Sequence, residues 1–292
     1  MIGMRISAGT RHTPGGTSIH KIRVGGSNQG IGQFRTRRPS CPRQARAFYL
    51  CYRRWDGSGV ESGSVPKAVI KVDNSQTPNA ANGAVYKGAT IAEIGGQKFI
   101  LAANLRSGNI DVFNTNFQQV HLSANAFQND GNQGDQGDTG IPGGFAPFNV
   151  QGIGPNLYVT YAKQDAARHD PVAGAGLGFV DAFDSNGALI QRLEHTNSMN
   201  APWGVVWATH DFGEFSNTIL VGQFRGGNIS AFNPVTGRFL GNMLNPNGST
   251  LLIDGLWALR FGNDGSAGRR TTLFFTAGPN GERTACSEPC FR

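Results

Sequence analysis

Long apolar runs are missing from this sequence: no stretch of about 18 apolar residues occurs, which excludes a membrane-spanning helix. Charge is scarce too. Charged residues make up 15% of the 292, while glycine contributes 42, about twice its average share, a balance that suits many short turns rather than helices. Acids are absent altogether from residues 1–55, which hold 11 Lys and Arg; the other 15 basic residues face all 19 acidic ones over residues 56–292. The net charge of +7 thus belongs to one end, and the acidic body argues against a nucleic-acid partner. No apolar segment follows the basic start MIGMRISAGTRHT, so no signal-peptide pattern is readable there. Walker and GxGxxG phosphate loops are absent, as is a G-x-S-x-G nucleophile elbow, which removes the commonest sequence signals for nucleotide binding and serine hydrolysis. The cysteines, Cys41, Cys51, Cys286 and Cys290, lie near the two ends with spacings that form no strong zinc signature. Unpaired thiols in frayed ends are expected, with two disulfides or one metal site as alternatives.

What is present is a repeat. Residues 198–240 read as strand, loop, strand, tight turn, strand, turn, strand: Trp203 to Ala208, Thr218 to Phe224, Asn228 to Phe232 after Gly226-Gly227, and Gly237 to Leu240 after Asn233-Pro234. Four short antiparallel strands joined this tightly form a meander, the shape of one propeller blade. Earlier in the chain KGATIAEI matches WGVVWA, KFILAANL matches TILVGQF, and SGNIDVFN matches GGNISAFN. A third copy runs PFNVQGI, NLYVTYA, GFVDAFDSNGALIQRL, and a fourth begins DGLWALRFG and TLFFTAG. Second strands start near Phe99, Leu157, Ile219 and Leu273, intervals of 58, 62 and 54 residues. A minimal blade takes about 40 to 45 residues, so the excess is assigned to loops. The fold class is all-β, a β-propeller with about four recognisable blades over residues 57–292, expected as a monomer.

Residues 1–56 show no clean period. Strands are expected at Ile19 to Val24 and Phe48 to Tyr52, separated by the Pro- and Arg-rich run TRRPSCPRQAR. The reading is of an atypical basic, poorly ordered segment whose composition resembles a frame-altered stretch; a basic arm that folds onto nucleic acid is the alternative. The last residues, 282–292, are read in the same way.

Over about residues 65–281, GAVYKG, the long run from GFAPFNVQGIGPNLYVTYAKQDAARHDP to IQRL, NAPWGVVWA, IDGLWALRFG and LFFTAGPN together resemble an uncharacterised family of bacterial β-propeller proteins, related in pattern to NHL-repeat and gluconolactonase-like six-bladed propellers. The resemblance implies a six-bladed ring and an extracellular or periplasmic location. The chain departs from the pattern at both ends, which look truncated, and a missing sector would leave two sheet faces uncovered.

In a propeller the first strand of each blade lines the channel, so equivalent strand starts converge on the axis. Aligning the copies puts Lys87, Phe148, Trp203 and Asp254 in one ring, followed by Gly88, Asn149, Gly204 and Gly255. Of these, Lys87, Phe148, Asn149, Trp203 and Asp254 are the candidate channel-lining binding residues; core packing for the aromatics and a mutually satisfied charge pair is the plainer reading. Asp254-Gly255-Leu256 resembles the strand start that holds a divalent metal in gluconolactonase-like enzymes, which makes Asp254 and Asn149 the matching oxygen ligands for Ca2+. His169-Asp170, in a loop that lengthens its blade, is a candidate acid–base pair or a hydrogen-bonded surface turn. The insertion from Asp130 to Asp138 carries oxygen-bearing side chains without the EF-hand order and reads as a solvated loop. Arg106, Arg225 and Arg260 end strands in three copies and suggest a basic rim or paired blade edges.

Two functions are weighed. The first is a non-catalytic binding scaffold for a protein or a glycan, with no cofactor. The second is a Ca2+-assisted lactonase- or esterase-like hydrolase that polarises a carbonyl near Asp254.

Overall fold

The computed structural model describes residues 2–9, 21–25, 48–50, 69–122, 126–127, 140–265 and 268–278. The four cysteines, the Asp130 to Asp138 insertion and residues 282–292 lie outside them. In chain order the strands are β1 (Ile2–Gly9), β2 (Lys21–Gly25), β3 (Phe48–Leu50), β4 (Val69–Val72), β5 (Tyr86–Ile94), β6 (Gln97–Asn104), β7 (Asn109–Phe113), β8 (Gln119–Val120), β9 (Phe145–Ile153), β10 (Asn156–Lys163), β11 (Gly178–Phe183), β12 (Leu189–Arg192), β13 (Pro202–Trp207), β14 (Ile219–Gln223), β15 (Ile229–Phe232), β16 (Phe239–Asn242), β17 (Leu256–Phe261) and β18 (Thr272–Ala277). One 3-10 turn, Gly213–Phe215, interrupts them.

Three four-stranded antiparallel meanders follow the repeat: β5–β8, β9–β12 and β13–β16. They are blades of a β-propeller, and their innermost strands β5, β9, β13 and β17 pack in succession. A fourth sheet runs β17-β18-β1-β2, so strands from the first residues complete the blade that the sequence repeat only begins. Of the strands in residues 1–56, β2 and β3 overlap the two expected segments; β1 was not anticipated. β3 pairs with β4 as a separate two-stranded sheet.

Alternation along the strands supplies the packing. On β10, Leu157, Val159 and Tyr161 join the cluster with Leu101, Ala103 and Val112 of the first meander, while Tyr158 points the other way, into a cluster with Val205, Ile219 and Val221 of the third. A strand buried on both faces reads as the near-continuous apolar run NLYVTYA. A third cluster joins Leu220, Ala231 and Met243 to Leu256, Leu273 and Phe275 of the fourth sheet.

The inner strands carry one irregularity in common. Register shifts between Tyr86 and Gly88 on β5, opposite Thr160 and Tyr161 on β9, between Pro202 and Gly204 on β13, and between Leu256 and Leu259 on β17. Each is a β-bulge near the strand start, which re-aims a side chain toward the axis. The extra residues are Lys87, Phe148, Trp203 and, in the fourth sheet, Trp257. Just after two bulges the neighbouring strand comes too close for a side chain: a Cβ on Gly88 would strike the Asn149 carboxamide, and one on Gly204 would meet the Trp257 carbonyl oxygen at 2.5 Å.

Third strands carry a buried polar residue that each blade satisfies differently. Asp111 accepts from the Tyr86 hydroxyl at 2.7 Å and from Asn104 Nδ2 at 3.1 Å. Burial, then the Asp111 charge, pushes the Tyr86 phenol well above its ordinary value, so it stays a donor. Ser230 accepts from Asn228 and donates to Asn242. Asp181, with no exposed side-chain surface, takes a forked contact from Arg192, Nε to Oδ1 at 2.8 Å and a terminal nitrogen to Oδ2 at 3.1 Å. Burial raises the Asp181 carboxyl above its ordinary value against the pull of Arg192, so the ionised form depends on the guanidinium. Arg192→Ala is expected to lower the unfolding free energy by about 3 kcal/mol in urea denaturation, because the carboxylate is left buried without its partner. A loss below about 1 kcal/mol would mean that water already solvates the pair.

Candidate hub-face site

The bulges bring four sheets together in one aromatic hub. Phe148 is fully buried, its ring 5.9 Å from those of both Phe224 and Trp257. Trp257 lies 4.2 Å from Phe224 and meets Trp203 edge-on at 5.2 Å. Leu105, Ala146, Ala162 and Ala201 fill the same cluster. Two hydrogen bonds cross it: the Trp203 indole Nε1 donates to the Lys87 carbonyl at 3.1 Å, and Asn149 Nδ2 donates to the Trp203 carbonyl at 2.7 Å. The hub is therefore filled by side chains.

Of the sequence-expected ring, Lys87, Phe148, Asn149 and Trp203 come together. Asp254 does not occupy the fourth position. It lies exposed in the turn before β17, three residues short of the bulge, and Trp257 stands where the ring alignment put it. The physical reason is the glycine used as a guide. Gly88 and Gly204 allow close strand approach, whereas Gly255 serves a turn with φ of +63° against the Gly278 backbone. For the suggested Ca2+ ligands, the Asn149 amide nitrogen is committed to Trp203 and its carboxamide abuts Gly88. Among the described residues no group of three or more His, Cys, Asp or Glu side chains is placed to hold a metal ion.

The two candidate groups separated in sequence, Lys87 and His169-Asp170, form one constellation. Lys87 Nζ donates to Asp170 Oδ1 at 2.8 Å, and His169 Nδ1 lies 2.9 Å from Asp170 Oδ2. The carboxylate accepts only, so the His169 proton facing it sits on Nδ1 and leaves Nε2 as the outward nitrogen. The loop is fixed from within: the His169 amide donates to Asp165 Oδ1 at 2.7 Å, and the Asp165 amide to the Asp170 carbonyl at 2.9 Å. It is also tied to both neighbours. Gln164 donates to the Leu105 carbonyl at 2.5 Å in the first blade, and the Gly174 amide to Asn200 Oδ1 at 2.9 Å toward the third.

A groove of 430 Å3 that the sequence did not signal lies at the edge of the second blade, between Pro142, Phe179, Arg192, Glu194 and His195. His195 stacks on Phe179 at 4.5 Å and donates Nε2–H to the Gly176 carbonyl at 2.8 Å. Nothing local marks these residues; only the pairing of β11 with β12 brings them together.

No protein-family model matches the chain. Sequence relatives include uncharacterised proteins of Acanthamoeba polyphaga mimivirus. One is 35% identical over 120 residues, 41% of this chain and 30% of the relative. Another is 31% identical over 180 residues, 60% of this chain and 44% of the relative. The chain spans less than half the length of the curated relatives it matches. These relatives are viral and lend no support to a bacterial family. Among solved structures, virginiamycin B lyase from Staphylococcus aureus aligns at 11% identity and a TM-score of 0.36, over 67% of this chain and 50% of that one. A gluconolactonase from Xanthomonas campestris aligns at 12% identity and a TM-score of 0.36, over 61% and 68%. No residue role is carried over from either.

Partial burial pushes the Asp170 carboxyl up, but hydrogen bonds from Lys87 and His169, with their charges, outweigh it and hold the group below its ordinary value. A carboxyl whose folded value is depressed stabilises the fold above its unfolded value and loses that contribution as pH falls through the folded one. Asp170→Asn is therefore expected to melt below the parent at neutral pH, with the gap closing as pH falls through and below about 4, the ordinary carboxylate value. Melting curves at several pH values check this; a gap independent of pH would break the assignment.

Proposed function

We propose that this chain is a non-catalytic β-propeller module that binds a glycan or a protein surface on the hub face. The observation that supports this reading best is the filled hub. A substrate pocket needs a concavity with convergent polar groups. Here Phe148, Trp203, Trp257 and Phe224 occupy the axis, and the polar side chains at its mouth tie one blade to the next. Lys87, Asp170 and Gln164 hold the 164–177 loop across the first and second blades, which makes a firm, shaped surface with little entropy left to lose on binding.

The lactonase-like reading asks for a cation near Asp254 that polarises a carbonyl. It asks Asn149 to hold the cation through Oδ1, which lies against Gly88, and Asp254 to reach the axis from an exposed turn. The test measures lactone and aryl-ester turnover with Ca2+ present, beside metal content, in the parent and in Asp254→Asn. Rates at the uncatalysed level are expected. Stoichiometric metal with turnover lost in Asp254→Asn would overturn the binding reading.

A further inference from the structure

Strand register reveals a cationic position repeated around the hub. Tyr86 pairs with Asn104, Pro147 with Tyr161, and Pro202 with Gln223, each pair immediately flanking a bulge. Two residues beyond those second-strand partners stand Arg106, Lys163 and Arg225. One base thus sits at the same place in three successive blades, on the face where the inner strands begin. The hub residues just before them, Leu105, Ala162 and Phe224, share one buried cluster, which fixes the three as neighbours of the same axis.

These bases differ from the other charged groups of that face. Lys87 is spent on Asp170, Asp170 on Lys87 and His169, and Asp165 on the His169 amide. Among the described residues no carboxylate lies within ion-pair distance of Arg106, Lys163 or Arg225. They are held by neutral groups instead. Arg106 gives a terminal nitrogen to the Ala81 carbonyl at 2.7 Å while its buried Nε has no acceptor. Lys163 Nζ donates to the Gly143 carbonyl at 3.0 Å and sits 5.1 Å over the Phe145 ring. The Arg225 guanidinium lies 4.9 Å over Phe224. Each is positioned without being neutralised, and each keeps unfilled donors. Beside Arg225 the aromatic path continues through Phe224 to Trp257 and Trp203, both partly exposed.

From this placement we infer that the hub face binds an acidic polysaccharide, a chain of uronate sugars whose carboxylates meet Arg106, Lys163 and Arg225 while a sugar ring rests on the Trp203–Trp257 edge. Guanidinium groups match carboxylates as forked donors, and an aromatic face suits the apolar side of a pyranose. Three bases supply few of the many phosphate contacts on which nucleic-acid affinity rests. This inference rests on the binding-module reading above and names its ligand class.

The experiment is isothermal titration of the whole chain with hexagalacturonate, with maltohexaose and a single-stranded oligodeoxynucleotide as comparators. Hexagalacturonate is expected to bind and the other two not. Arg225→Gln and Arg106→Gln should each weaken binding about tenfold, and the variant with Arg106, Lys163 and Arg225 all changed to Gln should lose it. Raising the salt to about 0.5 M should weaken the parent's binding through screening. Thermal melts identify any variant that fails to fold; Lys163→Gln, on a base whose one hydrogen bond among the described residues goes to the Gly143 carbonyl, then serves in its place. Equal binding of maltohexaose, unchanged by the cation variants, would overturn the acidic-ligand inference and leave the binding module standing. Tighter binding of the oligodeoxynucleotide, or no binding of hexagalacturonate, would overturn it as well. Lactone or ester turnover would instead overturn the reading it rests on.

Discussion

The structure depends on how closely inner strands approach one another at the axis. A four-stranded meander has two apolar faces and cannot be stable alone, so its faces must be buried against neighbours. The approach is set at Gly88 and Gly204, where an added Cβ would collide with the next inner strand. Because those positions follow a bulge, the residue just before each is thrown toward the axis. Close approach and hub filling are one geometric event, repeated with different side chains.

Much of this was legible in the sequence. SGNIDVFN and GGNISAFN are near copies, and their shared asparagine, third-strand pattern and positive-φ glycines, Gly108 and Gly227, recur because the turn demands them. The convergence of Lys87, Phe148, Asn149 and Trp203 was legible for the same reason. The fourth copy misled because two kinds of glycine look alike in a string of letters. Ala258 holds the place of Gly88 and Gly204, while Gly255 belongs to a turn, so alignment on the glycine selected Asp254 over Trp257. The union of β1 with β18 had no local signal at all, since self-comparison finds repeats and not the pairing of distant segments.

The contact of Lys87 with Asp170 shows the same limit from the other side. Both residues were singled out for separate reasons, one as a strand start and one as a loop acid, 83 positions apart. Only blade neighbourhood makes them partners. Once paired, Asp170 is no longer an independent acid and Lys87 no longer a free base, so the chemistry either might perform alone gives way to holding the loop in place. Proximity to an axis raises the chance of function, but a group already satisfied there is part of the scaffold.

That distinction locates what remains available for recognition. Around a hub packed with four aromatic rings, Arg106, Lys163 and Arg225 keep unfilled donors one step outward, near the ends of the second strands. Among the described residues Arg106, Lys163 and Arg225 join no ion-pair network, and their carbonyl and ring contacts position each charge without neutralising it. Like charges gathered around one axis repel, a cost that grows as the ring tightens. An arrangement that sets them around one hub, braces them on carbonyls and rings, and spends Asp165 and Asp170 elsewhere fits a compensating charge supplied by a bound ligand.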